Sequence, residues 1–284
     1  MVDFYEYSTP ELVRLLGNRF KEYRIRCNLT QKDVSEQSGI GLTTIHKFEN
    51  GTAGNISLST FIVLLKVVGQ ISGLEEFDYY LVKFGNSQYS SAELEMSYYE
   101  LATMAGINMM PSKLYQVDGN NHFMTKRFDR NNGKKIHTQT LAAISSDADS
   151  YEQLITVCRK LHLPETDCYE VFRRMVFNVL ANNTDDHNKN FSFVMSEDGT
   201  WRLSSAYDVT YIFDNGGFLP NEDHCMYIRA KLRDITRDDV IQFAKDNGIR
   251  RPDAIIRDIV NAMKQFRTVA TKYGVAELWM GRVE

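Results

Sequence analysis

The sequence predicts a mainly α-helical fold with a small antiparallel β region. Residues 9–68 repeat short apolar-periodic runs divided by cap and stop residues, while residues 78–128 change to brief alternating runs around an Asp-Gly-Asn turn. From Thr138 helical periodicity returns, broken by one long polar stretch that begins at Asn182.

A chain of 284 residues, 43% hydrophobic and 25% charged, can bury one large core or two moderate ones. Two domains are expected, over 1–76 and 77–284. The net charge of −4 excludes a general basic coat for nucleic acid, so any DNA contact must come from a local arrangement. The longest apolar stretch, Phe61 to Gly69, is interrupted by Lys66 and too short to span a bilayer, and no secretory signal precedes it, so a cytoplasmic protein without membrane contact is expected. Cys27, Cys158, Cys168 and Cys225 lack C-x-x-C spacing, which fits buried reduced thiols better than zinc ligands or disulfides.

From Pro10, Leu12, Leu15, Leu16, Phe20, Tyr23 and Ile25 recur at helical intervals and predict an amphipathic helix. Thr30 supplies an N-cap for a short helix whose Val34 points inward and which Gly39 stops. Gly41 to Phe48 predicts another two-turn helix with Ile45 and Phe48 facing the core, closed by Asn50-Gly51, and a final helix spans about Ser57 to Val68. Two short helices joined by a glycine-containing turn can lay the second into the major groove while the first crosses the backbone.

The segment LTQKDVSEQSGIGLTTIHKFENG resembles the lambda-repressor-like (XRE, HipB-like) helix-turn-helix family. That resemblance implies binding to double-stranded operator DNA: Gln31 would hold a phosphate, Thr43, Thr44, His46 and Lys47 would face base edges or nearby phosphates, and Asn50 would anchor the backbone. Leu42 departs from the family's polar residue and is suited to a thymine methyl. A lone short recognition helix binds weakly, so a homodimer on a palindromic operator is expected. A packing module without a DNA role would leave the Thr-Thr-x-His-Lys face without a purpose.

In the second part, YYLVKF reads as a strand, a helix runs through Leu101 and Ala102, and KLYQV and HFMTKRF read as strands around Asp118-Gly119-Asn120. After Thr138 the chain reads as mostly helical, through YEQLITVCRKL and CYEVFRRMVFNVLA. The run AIIRDIVNAMKQFRTVATKYG reads as one amphipathic packing helix.

The polar interruption ANNTDDHNKNFSF sets Asp185 and Asn190 in a D-x-x-x-x-N relation, and Asp208 follows a hairpin turn at Asp198-Gly199. Phosphoryl transfer needs an acceptor for the hydroxyl proton and oxygen ligands for Mg²⁺, and kinases supply them with this loop spacing plus a later Asp. Asp185 is then the base, Asn190 and Asp208 the metal ligands, and His187 and Lys189 supports for the loop or the phosphates. Asp186 is a rival base. Asp186, Asn188, Asn190 and Glu197 also scan partly as a calcium loop, but Phe191 stands where its sharp turn requires glycine.

NTDDHNKNFSF and RLSSAYDV, together with KRFDR, resemble the catalytic, metal-binding and hinge segments of HipA-type serine/threonine kinases, over roughly Asp78 to the C-terminal helices. The resemblance implies a protein-kinase-like α+β domain using ATP and Mg²⁺, of the toxin-antitoxin type, whose members phosphorylate translation factors such as aminoacyl-tRNA synthetases. It makes Lys83 the phosphate-contacting lysine, Glu95 the acidic residue on the next helix, Phe128 the adenine-contacting hinge residue and Tyr207 part of the nucleotide pocket. Lys126 takes a hinge position where an acidic residue is common. Read without the family, Lys83 is equally a solvated edge residue.

The family's glycine-containing phosphate loop region has no counterpart between Glu76 and YYLVKF, and GNSQYSS, Gly85 to Ser91, could cover phosphates but lacks that glycine spacing. Three arrangements remain: a separate subunit supplies the region, antitoxin-like and toxin-like pieces have been joined, or the domain only binds. A transcriptional regulator with a catalytically incomplete kinase-like half, used for nucleotide or partner binding, is therefore the alternative function.

Overall fold

The computed structural model describes residues 9–53, 56–69, 78–131, 134–211 and 223–283. The chain divides into two compact units, 1–77 and 78–284. The expected boundary at Glu76 lies outside the described residues.

The first unit holds α1 (Thr9–Arg26), α2 (Gln31–Ser38), α3 (Leu42–Glu49) and α4 (Leu58–Val67). Local chemistry sets α2: the Thr30 hydroxyl accepts from the Asp33 amide, the Asp33 carboxylate accepts from the Thr30 amide, and Gly39 ends the helix at φ 70°. Val13, Phe20, Val34, Ile45, Phe48, Leu64 and Val68 form its core. At Gly17 α1 meets the end of α3 so closely that a Cβ would lie 1.9 Å from the Phe48 carbonyl oxygen.

One expectation fails here. Ile25, assigned to the buried face, is 56% exposed, and its neighbour Arg24 is buried instead. Arg24 Nε and Nη2 donate to the two Glu49 carboxylate oxygens at 2.6 and 2.8 Å, and Nη1 donates to the Leu29 carbonyl at 2.7 Å. Glu49 is itself buried on α3, and a buried carboxylate needs a counter-ion, so α1 turns its cation inward in that last turn.

The second unit begins with β1 (Tyr80–Lys83), α5 (Ser91–Met104), β2 (Ser112–Val117) and β3 (Asn120–Lys126). These strands form an antiparallel sheet in the order β1-β3-β2, with Lys83 opposite Phe123. The β2–β3 turn puts Asp118 and Gly119 at φ 49° and 81°, the left-handed pair that matches hairpin twist. A two-residue ribbon, β4 (Arg130–Asn131) with β5 (Lys134–Lys135), precedes β6 (His137–Thr140), α6 (Leu141–Ile144), α7 (Tyr151–Lys160) and α8 (Glu165–Leu180). Then come β7 (Ser192–Met195), β8 (Trp201–Leu203), α9 (Arg237–Asp246), α10 (Pro252–Met263), α11 (Phe266–Tyr273) and α12 (Glu277–Val283).

After Thr138 the chain is mostly helical as expected, with the hairpin at Asp198-Gly199 formed by β7 and β8; the strand β6, which completes a second antiparallel sheet in the order β6-β7-β8, is not expected from the sequence. The polar run His137–Thr140 has no apolar alternation and becomes a strand because β7, more than fifty residues on, supplies its hydrogen-bond partners. The expected single C-terminal helix is two, α10 and α11, parted at Lys264–Gln265, where the Gln265 amide bonds Ala262 in a tightened turn. The break lets Phe266 enter the main core, its ring 6.3 Å from that of Tyr98. All four cysteines are free; Cys158 and Cys168 are buried as expected, whereas Cys27 and Cys225 are exposed. Among the described residues no helix is long and apolar enough to cross a membrane.

Candidate functional site

The loop after α8 starts at Asn182, whose φ of 51° reverses the chain. The Asn190 side-chain amide donates to the Asp185 carbonyl at 2.8 Å, so the two ends of the D-x-x-x-x-N segment are tied together. The Asp185 carboxylate is 39% exposed and lies 3.7 Å from His187 Nε2. Lys189 is exposed, and its carbonyl accepts from the Tyr207 hydroxyl at 2.7 Å.

Asp186 points the other way and is 1% exposed. Its Oδ2 accepts from the Tyr151 hydroxyl at 2.7 Å and from His224 Nδ1 at 2.9 Å, and its Oδ1 accepts from the Cys225 amide at 2.8 Å. A carboxylate can only accept, so His224 carries its proton on Nδ1. Burial, with the Asp186 charge added, holds the Tyr151 hydroxyl well above its ordinary pKa and keeps it a donor. Asp186 is therefore spent on the protein and cannot rival Asp185 for a substrate proton. The calcium-loop spacing fails with it, since Asp186 is occupied and Phe191 is buried in the core.

Asp208 sits at φ 57°, a left-handed conformation that Asp tolerates better than most residues. Lys83 Nζ pairs with Asp208 and with Glu95 Oε1, the latter at 2.6 Å, which removes the solvated-edge reading of Lys83. Burial alone would lower the Lys83 pKa; the Glu95 and Asp208 charges outweigh it and raise the pKa, so Lys83 stays a cation. Burial raises the Glu95 carboxyl, offset in part by Lys83.

Lys83, Glu95 and Asp208 line one wall of a cavity of about 300 Å³, whose other walls include Leu81, Phe128 and Tyr207. The Phe128 and Tyr207 rings lie 5.4 Å apart, tilted by 30°. Lys126 also lines this cavity, with Nζ 2.5 Å from Asp78. Asn190 and Asp208 line a second, small cavity of about 20 Å³ that includes Arg174 and Asn183. Apolar walls with two aromatic rings fit a purine, and the amide and carboxylate oxygens of Asn190 and Asp208 are the hard donors that Mg²⁺ prefers.

The GNSQYSS segment is not a phosphate cover. The Gly85 amide donates to His122 Nδ1, the Asn86 amide to Ser91 Oγ and the Gln88 amide to Asn86 Oδ1, while Trp279 Nε1 donates to the Gln88 carbonyl. Its amides are turned to the protein itself. Sequence spacing also gave no sign of Tyr151 and His224, because both reach the loop from distant elements.

In the first unit, Leu42, Thr43, Thr44, His46, Lys47 and Asn50 are exposed along one face of α3, with Ile45, Phe48 and Glu49 buried behind them. Gln31 Nε2 donates to Glu49 Oε2 at 2.8 Å, Gln31 Oε1 lies 3.4 Å from His46 Nδ1, and Asn50 Nδ2 lies 2.9 Å from His46 Nε2. Gln31, His46 and Asn50 thus form a linked row, with the Gln31 amide held by Glu49.

A family model described as HipA-like C-terminal domain matches residues 58–267, and one described as helix-turn-helix matches residues 20–74. Two Sinorhizobium fredii proteins are similar: "Putative kinase Y4dM", 29% identical over 46% of this chain and 36% of its own length, and "Putative kinase Y4mE", 21% identical over 57% of this chain and 42% of its own. The chain thus spans well under two thirds of the curated relatives it matches. Among solved structures, the Shewanella oneidensis HipA, HipB and operator DNA complex aligns at 18% identity and TM-score 0.58, over 72% of this chain and 55% of that chain. The Helicobacter pylori proinflammatory kinase CtkA aligns at 12% identity and TM-score 0.47, over 72% and 90%.

Proposed function

The chain belongs to the HipA-like C-terminal domain family, and from that premise we propose that it joins an operator-binding helix-turn-helix to an Mg²⁺- and ATP-dependent serine/threonine protein kinase of the toxin-antitoxin type. The observation that carries the reading is the convergence of Lys83, Glu95 and Asp208 on the wall of one cavity, from a strand, the helix that follows it and a loop 125 residues beyond Lys83.

Phe128 and Tyr207 would hold the base, Lys83 the phosphates, and Asn190 and Asp208 the cation. When bound, Mg-ATP supplies the phosphoryl group and neutralises charge on it. Asp185, partly exposed beside His187, accepts the proton of a substrate hydroxyl, and Lys189, exposed on the same loop, would support the loop or the phosphates. Lys126 and Asp78 border the hinge. A protein substrate of the aminoacyl-tRNA synthetase class, a homodimer on a palindromic operator and a cytoplasmic setting complete the proposal, with Gln31, Thr43, Thr44, His46, Lys47 and Asn50 on the DNA side.

Two observations favour a second reading, a regulator whose kinase-like half binds without transferring phosphate. The Gly85, Asn86 and Gln88 amides are engaged internally, and Tyr80, Leu81 and Val82 on β1, with Phe84 just after it, are exposed on a strand that among the described residues pairs on one side only. That edge is where we place a separate subunit supplying the phosphate-loop region.

The deciding experiment is calorimetric ATP binding with and without Mg²⁺, alongside phosphate transfer, for wild type and Asp185→Ala. The kinase reading expects wild type to bind and transfer, and Asp185→Ala to bind normally while transfer falls by about 10²–10⁴-fold. Binding without transfer by wild type supports the regulator; no binding at millimolar ATP refutes both nucleotide readings.

A further inference from the structure

Asp185 has little to hold its own side chain: His187 is 3.7 Å away and the Cys225 thiol is 3.9 Å away, both beyond a strong hydrogen bond. Asp186, one residue along the same backbone, is fastened on every side. Besides Tyr151, His224 and the Cys225 amide, the Met226 amide approaches its Oδ1 at 3.4 Å. Tyr151 in turn accepts from Asn178 at 2.9 Å, and the Asn178 side-chain oxygen accepts from Asn183 at 3.0 Å. The result is a buried chain from Asn183 through Asn178, Tyr151 and Asp186 to His224, spanning the end of α8, the start of α7 and the segment that follows residue 222.

That last segment is itself anchored. The Cys225 amide also faces the Thr184 carbonyl at 3.1 Å, the Tyr227 amide donates to the Asp149 carbonyl at 2.7 Å, the Tyr151 amide donates back to Tyr227 at 3.0 Å, and the His224 amide donates to Leu232 at 2.8 Å. Residues 224–227 therefore form a fixed rail, and Asp186 is the point at which the loop is bolted to it.

We propose that His224, acting through the Asp186 carboxylate, is the positioning residue that fixes Asp185 for phosphoryl transfer. The proposal rests on the kinase reading above. Adjacent residues share a peptide plane, and the Asp185 carbonyl in that plane is held by Asn190 Nδ2 at 2.8 Å, so immobilising the Asp186 side chain as well restrains the direction in which the Asp185 Cα–Cβ bond leaves the loop. Without the His224 proton, Oδ2 keeps Tyr151 alone, and the loop gains a tilt about the two backbone amides that hold Oδ1. A displacement of about 1 Å at a reacting group is enough to cost on the order of 10²-fold in rate. Asn178, Asn183 and Asp186 line the small cavity beside Asn190 and Asp208, whereas His224 and Tyr151 line neither that cavity nor the larger one, so a loss that starts at His224 should fall on kcat ahead of KM for ATP.

The test measures kcat and KM for ATP, with melting temperature, on the full chain carrying His224→Phe, His224→Asn or Tyr151→Phe. Phenylalanine keeps the ring and removes the donor; asparagine restores a donor near the Nδ1 position. The expected result is a kcat lower by roughly 10–100-fold in His224→Phe with KM for ATP within about twofold of wild type, and recovery to within about threefold of wild-type kcat in His224→Asn. Tyr151→Phe should show the same split and carries the test if His224→Phe does not fold. Wild-type kcat in a folded His224→Phe overturns the proposal, as does a loss shared equally by Phe and Asn and matched by falling ATP affinity, which marks a purely structural role. A wild type that binds ATP and transfers nothing overturns the kinase reading itself and the positioning role with it.

Discussion

Replacing Glu49 with alanine removes the acceptor for Arg24 Nε and Nη2 and for Gln31 Nε2 in one step. The Arg24 side chain is 11% exposed and that of Glu49 is fully buried, so among the described residues the guanidinium is left with the Leu29 carbonyl on Nη1. Breaking a buried pair by removing one partner costs about 3–5 kcal/mol, against a few tenths for an exposed helical pair of the Lys32–Glu36 kind. In a unit of this size each kcal/mol moves the melting temperature by about 4–8 °C, so the first unit should melt at least about 12 °C lower. Both tryptophans, Trp201 and Trp279, lie in the second unit. Tryptophan fluorescence therefore follows only that unit, while far-UV circular dichroism follows both. The expected outcome is an early dichroism transition with an unchanged fluorescence transition. The double variant Arg24→Met, Glu49→Leu should regain most of the loss, because two apolar side chains leave no charge behind. An early transition displaced by less than about 4 °C, corresponding to under 1 kcal/mol, would refute the claim that this pair is a buried necessity.

Other outcomes follow from the two sites. Lys83→Met removes the charge that offsets burial of Glu95, so the Glu95 pKa rises further above its unfolded value. A raised acid stabilises the fold below its unfolded pKa and loses that contribution as pH climbs through the folded one, so the melting penalty of Lys83→Met should be larger at pH 8 than at pH 5. Equal penalties at both pH values would show that Glu95 does not sense Lys83. Lys47→Ala should weaken binding to specific and random duplex alike and reduce the slope of log K against log salt by about 1, measured by fluorescence anisotropy. An unchanged slope would take Lys47 off the phosphates.

What the sequence made legible was written in neighbouring residues. Thr30, Asp33 and Gly39 define α2 within ten positions, Asp118-Gly119 defines its hairpin, and the Asp185–Asn190 spacing marks a loop whose ends the structure ties together. Interactions across long separations were not legible. Helical periodicity placed Ile25 inward because it counts apolar residues, whereas the deciding fact is an acid on α3 that Arg24 must meet. The strand His137–Thr140 takes its conformation from β7, and the break at Lys264 serves Phe266. Asp185 and Asp186 are indistinguishable as letters; the donors that absorb Asp186 come from Tyr151 and His224, thirty-five and thirty-eight residues away.

The open side of β1 bears on how the chain keeps company with its own copies. A strand edge unpaired among the described residues, with Tyr80, Leu81, Val82 and, just beyond, Phe84 exposed, is a template for sheet-to-sheet coalescence between molecules. Lys113 lies 5.8 Å from the Tyr80 ring centre, and Arg130, paired with Asp129 at 2.6 Å, lies 5.8 Å from that of Tyr79 just before the strand. Repulsion between such cations on approaching molecules is screened by dissolved ions, whereas the apolar edge they protect is not. Salt thus acts in opposite senses on the two units, loosening the electrostatic grip proposed for the first on a duplex while unmasking a sticky strand in the second, so the solvent that best strips nucleic acid from the chain is also the one that most encourages it to clump.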